Sequence, residues 1–125
     1  IFTKKIFEGK EIEVFNNGKM KRDFTFINDI IDGIMGAVKL NKKFEHRIYN
    51  LGNNNPEDLS NFINLIEDTI GIKAKKRLLP IQPGDVRETF AEISESTKDL
   101  NFKPKVNIKE GIPKFVEWYK SYYKI

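Results

Sequence analysis

Two charged residues sit where a fold could hold them against a ligand. Arg22 opens the stretch Arg22-Asp-Phe-Thr-Phe-Ile27, shortly after the turn signal Asn16-Asn17-Gly18. A guanidinium at the head of a short strand presents a planar fork of donors. Its charge-assisted contact with a phosphate contributes about 1.5–3 kcal/mol in a partly buried site. Asp85 follows the stiff segment Pro80-Ile-Gln-Pro83 and Gly84. A carboxylate held on such a loop accepts two hydroxyl hydrogen bonds from a vicinal diol such as that of ribose. Each residue also has a plainer explanation: Arg22 pairing with Asp23 or another surface acid, and Gly84-Asp85 forming an ordinary turn.

Catalysis asks for more than these two. The eight glycines are dispersed, with no glycine-rich phosphate loop. The one histidine, His46, lies in Phe44-Glu-His-Arg47 without partners at metal-ligand spacing, so it reads as a surface residue and no metal site is expected. Tyr119 is followed directly by Lys120, and the residue four after Tyr49 is Asn53, so neither forms a Tyr-x-x-x-Lys pair. Tyr122 and Tyr123 fall on the terminal helix. No catalytic residue is assigned in this chain.

The 125 residues are 39% hydrophobic and 32% charged, which suits one domain with a core, residues 1–125, and not a disordered tail. Ten Phe, four Tyr and one Trp supply large apolar groups. The absence of cysteine excludes disulfides and thiolate metal sites and leaves the cytoplasm as the default compartment. A formal charge of +4 suits an anionic ligand. The densest basic group, Lys73-Ala-Lys-Lys-Arg77, reads as a solvated lysine face and not as a nucleic-acid stripe, and no apolar run approaches a membrane span. The chain begins at Ile1; a native chain rarely starts so, and it reads as a piece of a longer polypeptide.

The expected fold is mixed α and β (α+β), with about four short strands and four or five helices. Residues 2–8 read as a helix stopped by Gly9. Glu11 to Phe15 and Arg22 to Ile27 alternate as strands do, forming a hairpin or a pair of nearby strands. Asn28 is a candidate cap for a helix from Asp29 to Leu40, along which Ile30, Ile31, Ile34, Met35 and Val38 recur at helical spacing. Arg47 to Leu51 reads as a strand. Asn55-Pro56-Glu57-Asp58 reads as a helix start, with Leu59, Phe62, Ile63, Ile66 and Ile70 as its buried stripe and Gly71 as its stop. Lys75 to Leu79 reads as a strand and Ser94 to Leu100 as a helix capped by Ser94. The last helix, Ile108 to Tyr123, opens on an Asn107/Glu110 capping box and presents Ile112, Phe115, Val116 and Tyr119 inward, with Pro113 beginning or kinking its regular part.

Taken in order, Ile12 to Phe15, Asn17-Gly18, Arg22-Asp-Phe-Thr-Phe-Ile27, Asn28-Asp29-Ile30, Tyr49-Asn-Leu-Gly52, Gln82-Pro-Gly-Asp-Val86 and Glu117-Trp-Tyr119 resemble the nucleotide-sugar-binding half of an extended short-chain dehydrogenase/reductase. The likeness is greatest to the UDP-glucuronate 4-epimerases. It implies that Arg22 holds the diphosphate, that Asp85 binds the ribose hydroxyls and that Phe15 lies beside the uracil. Gln82 stands where relatives often carry an arginine near the diphosphate, and Arg87 is the nearby cation that could compensate. Glu92 replaces the usual Asp of an Ala-Asp-Ile run and is given no role.

The resemblance further implies an NAD-dependent nucleotide-sugar epimerase of UDP-glucuronate or UDP-glucose 4-epimerase type. NAD would be bound by an N-terminal Rossmann half absent from these residues, and this chain alone would be inactive. A dehydratase or decarboxylase of the same superfamily is the first alternative, and a small basic nucleic-acid-binding module the second. The partners expected are a UDP-sugar, the Rossmann half of the same protein and a second copy pairing along the uncovered Tyr49–Gly52 edge, with neither nucleic acid nor membrane among them.

Overall fold

The computed structural model describes residues 1–41 and 46–125; Phe44 and Glu45, which precede His46, lie outside them. Among the described residues the order is α1 (Phe2–Phe7), β1 (Glu11–Val14), β2 (Lys21–Arg22), α2 (Ile27–Lys39), β3 (Glu57–Asp58), α3 (Leu59–Ile70), β4 (Lys75–Leu78), α4 (Ser94–Leu100) and α5 (Ile108–Tyr123). This is the mixed α and β architecture expected from the sequence.

β1 pairs in parallel with β4, from Glu11 opposite Lys75 to Val14 opposite Leu78. β2 pairs antiparallel with β3, Arg22 opposite Glu57. The Asn16-Asn17-Gly18 turn forms, with φ of 51°, 51° and 79°, but it closes no hairpin. Three successive left-handed residues lead the chain out of the strand direction. The Leu79 N–H donates to the Val14 carbonyl and the Asn17 N–H to the Leu79 carbonyl, so the ladder of β1 runs on with β4. Strand pairing beyond Arg22 also stops early, because Asp23 leaves the ladder for other partners described below.

The main core gathers Ile12 and Val14 of β1, Ile6 of α1, Ile63 and Ile66 of α3, and Ile108, Ile112 and Val116 of α5. Leu59, Phe62 and Ile70 of the α3 stripe lie partly buried against it, and Phe24 stacks on Phe62 with ring centroids 3.9 Å apart. Phe115, expected inside, is 40% exposed. Gly71 ends α3 in the left-handed conformation, a backbone state that costs glycine least. Asn107 caps α5 by accepting the Glu110 N–H at 3.2 Å, and the helix continues through Pro113.

Two expected helix starts shift, and a third helix lacks its expected cap. α3 begins at Leu59, because Glu57 and Asp58 are taken up by β3; Asn55 donates its amide to Glu57 instead of capping. α2 begins at Ile27 without a side-chain cap, which places Asn28 inside the helix. Asp29 is buried and accepts the Val106 N–H at 3.0 Å, tying α2 to the approach to α5. α4 has no side-chain cap from Ser94; instead the Ser94 N–H donates to Glu92, and the hydrogen bonds of the Ser94 hydroxyl first, then of its N–H, hold the Glu92 carboxyl below its usual range.

The segment Arg47 to Leu51 is not a strand. Side chains fasten it to α4: the Tyr49 hydroxyl donates to Asp99 at 3.0 Å, Arg47 pairs with Glu95 at 3.0 Å, and the Ser96 hydroxyl donates to the Asn50 carbonyl. The glycine face of α2 packs on this region. A Cβ on Gly33 would lie 2.6 Å from Leu51, and one on Gly36 equally close to the Leu100 carbonyl. The opposite stripe, Ile31, Ile34, Met35 and Val38, stays exposed.

The basic group after α3 is bound up in ion pairs. Buried Glu67 accepts from Lys76 at 2.7 Å, Lys73 at 3.1 Å and the Ala74 N–H at 3.2 Å, while Arg77 pairs with Glu11 and Glu13. Burial alone would raise the Glu67 pKa; the hydrogen bonds from Lys76, Lys73 and Ala74 outweigh it, and the carboxyl titrates below its ordinary range. A depressed carboxylate contributes stability above its unfolded-state pKa and loses it as pH falls through the folded value. Glu67→Gln is therefore expected to destabilise the fold by about 1–3 kcal/mol at pH 7. In urea denaturation the gap from wild type should narrow from about pH 5 downward; a gap independent of pH would contradict this role.

Candidate functional site

Because β1 and β4 are parallel and in register, the chain leaves both at one edge. Phe15 follows β1 there, and the loop from Leu79 follows β4. Pro80 and Pro83 stiffen that loop, Gly84 turns it at φ 82°, and the Asp85 N–H donates to the Gln82 carbonyl at 3.1 Å. The loop then returns along β2: the Lys21 N–H donates to the Arg87 carbonyl at 2.8 Å, and the Thr89 N–H to the Lys21 carbonyl at 3.2 Å.

That return brings Asp85 to Arg22, with Nη2 to Oδ1 at 2.9 Å across 63 residues of sequence. Nη1 of the same guanidinium donates to the Lys21 carbonyl at 2.8 Å and the Arg87 carbonyl at 3.4 Å. Nη2 also faces the Met20 sulfur at 4.0 Å. The Arg22 and Asp85 side chains are 25% and 30% exposed, so solutes reach both. Arg22 thus takes Asp85, and not its neighbour Asp23, as its acid.

The other expected residues are spread around this pair. Gln82 and Arg87 are exposed on the same loop, and Arg87 meets Arg22 through its backbone carbonyl. Phe15 is half-buried at the end of β1, bordering an apolar hollow that Phe62, Ile66 and Phe115 also line. His46 is exposed. Tyr119 stacks on Phe7 with centroids 5.7 Å apart, a packing role. Among the described residues no cluster of His, Asp and Glu could hold a metal ion, and no helix is long and apolar enough to cross a membrane.

Asp23 is the residue that sequence reasoning undervalued. Its carboxylate accepts the N–H groups of Asn53 at 3.1 Å, Asn54 at 3.1 Å, Asn55 at 3.5 Å and Ala91 at 3.0 Å, while its own N–H donates to the Thr89 hydroxyl at 3.2 Å. Gly52 permits this crossing, since a Cβ there would stand 2.2 Å from that of Ala91. One signal was available: an acid beside the candidate arginine, and a Gly-Asn-Asn-Asn run rich in turn-forming backbone.

The chain and its fold resemble known proteins. The model of the NAD dependent epimerase/dehydratase family matches residues 1–52. The fold superposes on UDP-glucuronic acid 4-epimerase from Bacillus cereus, solved with UDP-glucuronic acid and NAD, with a TM-score of 0.88 and 29% identity, over 98% of this chain and 39% of that one. By these comparisons the chain is similar to epimerases of the NAD dependent epimerase/dehydratase family. It is 52% identical over 118 residues to an uncharacterised protein of Methanocaldococcus jannaschii, covering 94% of this chain and 36% of that protein. It is 38% identical over 137 residues to UDP-glucuronate 4-epimerase 5 of Arabidopsis thaliana, covering 98% of this chain and 31% of the plant protein. The chain spans about a third to two-fifths of the length of the curated relatives it matches.

Asp23→Ala leaves four N–H groups without their carboxylate, a loss of about 2–4 kcal/mol. Urea unfolding should show that loss, and amide exchange should quicken at Asn53, Asn54, Asn55 and Ala91. Unchanged exchange at those four positions would contradict the role.

Proposed function

We propose that residues 1–125 form the nucleotide-sugar-binding part of an NAD-dependent nucleotide-sugar epimerase, of UDP-glucuronate or UDP-glucose 4-epimerase type. The observation that carries this reading is the meeting of Arg22, in β2, with Asp85, on the loop that follows β4. One is the cation suited to a diphosphate and the other the acceptor suited to a ribose diol. Arg22 holds the diphosphate, Asp85 takes the ribose hydroxyls and Phe15 lies beside the uracil. Gln82 supplies a neutral hydrogen bond near the phosphates, and Arg87 adds a cation on the same loop.

The residues here do not fit NAD: they lack a glycine-rich phosphate loop and a Tyr-x-x-x-Lys pair. Hydride chemistry therefore belongs to residues outside 1–125, in a Rossmann half of the same protein, and the isolated chain is inactive. The contribution of this chain is orientation, since binding energy remote from the reacting carbon holds the sugar in place. The exposed apolar stripe of α2 supports the idea that another layer of polypeptide covers that face of the helix. Without that layer the same surface favours pairing with a second copy.

A dehydratase or decarboxylase would use the same anchors, and the matched family's description includes dehydratases. Nucleic acid is disfavoured, because Lys73, Lys76 and Arg77 are engaged with acids of the fold. The absence of cysteine suits a cytoplasmic enzyme.

Isothermal titration with UDP tests the reading. Wild type should bind, and Arg22→Ala should weaken binding by roughly 10- to 100-fold, as expected for losing about 1.5–3 kcal/mol. Arg22→Lys should recover only part, because an ammonium lacks the planar fork. Equal affinity in wild type and Arg22→Ala would contradict it, as would turnover of a UDP-hexose by the isolated chain with NAD.

A further inference from the structure

We propose that Asp85 makes Arg22 selective, excluding bare phosphate anions and admitting ligands that offer a vicinal diol in exchange. This rests on Arg22 and Asp85 being the nucleotide anchors.

The hydrogen-bond partners of the guanidinium carry the argument. Nη1 is engaged by the Lys21 and Arg87 carbonyls, and Nη2 by the Asp85 carboxylate at 2.9 Å. An anion approaching Nη2 meets a carboxylate already bound to that nitrogen. Like charges that close repel, and the repulsion is strengthened where water is partly excluded. The pair is partly open to solvent, so Asp85 can be displaced from it. The loop need not come away for this. Its backbone is fixed by the Asp85 N–H to the Gln82 carbonyl and by the Lys21 N–H to the Arg87 carbonyl, so rotation of the Asp85 side chain suffices.

A nucleoside diphosphate compensates both partners. Arg22 trades a carboxylate for phosphate oxygens, and Asp85 trades guanidinium N–H groups for two hydroxyls. Pyrophosphate offers Asp85 nothing and leaves its charge beside the bound anion. The site therefore selects for a ligand carrying both groups at the right separation.

The test is calorimetric titration of the 125-residue chain with UDP, 2′-deoxy-UDP and pyrophosphate, in wild type, Asp85→Asn and Asp85→Ala. Asp85→Asn removes the charge while keeping a carbonyl for Arg22. Pyrophosphate affinity should rise about two- to fivefold in both variants, the size expected for removing one partly screened like charge. UDP affinity should fall about tenfold in Asp85→Ala, and the preference for UDP over 2′-deoxy-UDP should vanish there. Pyrophosphate affinity unchanged or reduced in Asp85→Asn, with UDP still binding wild type, would overturn the proposal and leave the nucleotide site standing. No UDP binding to wild type would remove the nucleotide reading and this inference with it. Should Asp85→Ala fail to fold, as judged by circular dichroism, Asp85→Asn decides the question alone.

Discussion

The geometry of the candidate site depends on one carboxylate that points away from it. Asp23 collects backbone N–H groups from two distant segments, Asn53 to Asn55 and Ala91, at the point where β2 ends. Hydrogen bonds to a charged acceptor are the strong ones, and buried or crowded donors without a partner are costly. One side chain therefore holds three stretches of chain that share no continuous sheet. Arg22 is its immediate neighbour, and the segment that Asp23 fixes at Ala91 is the continuation of the loop that carries Asp85. Position at the site is set by this knot more than by the two-residue strands beside it.

A second, independent device sets the other end of that loop. Buried Glu67 draws Lys73, the Ala74 N–H and Lys76 onto the end of α3, which aims β4 along β1. Parallel pairing then delivers Phe15 and the Leu79 loop to the same edge. The basic residues read from the sequence as a solvated lysine face also serve this internal purpose. The cation proposed to meet ligand is instead Arg22, whose acid is partly exposed and therefore exchangeable.

Much of this was legible in the residues. Apolar spacing located the core stripe of α3 and the inner turns of α5, and glycine and asparagine marked true turns at Gly71 and Asn16 to Gly18. Arg22 and Asp85 stood out as candidates before their contact was visible, with their ligand roles implied by the resemblance and not by residue chemistry alone. The failures share a cause, which is that local signals do not name partners. Asn16-Asn17-Gly18 looked like a hairpin turn, but β1 found β4 instead. Asn55-Pro56 looked like a helix start, but pairing with β2 claimed Glu57 and Asp58 first. Asp23 escaped notice because its four donors are backbone groups 30 to 32 and 68 residues away, which no side-chain pattern records. The α2 stripe carried helical periodicity correctly, while glycines at 33 and 36 decided which face meets this domain.

The central claim is that Arg22, in β2, and Asp85, on the loop that follows β4, face one nucleotide. Heteronuclear NMR titration of the chain with UDP tests it most directly. The account predicts shifts at the Arg22 side-chain Nε–H, at the amides of Phe15 to Asn17 and at those of Gln82 to Arg87, with Lys73 to Arg77 unmoved. Shifts confined to Lys73 to Arg77, or none at Arg22 and Asp85, would contradict it.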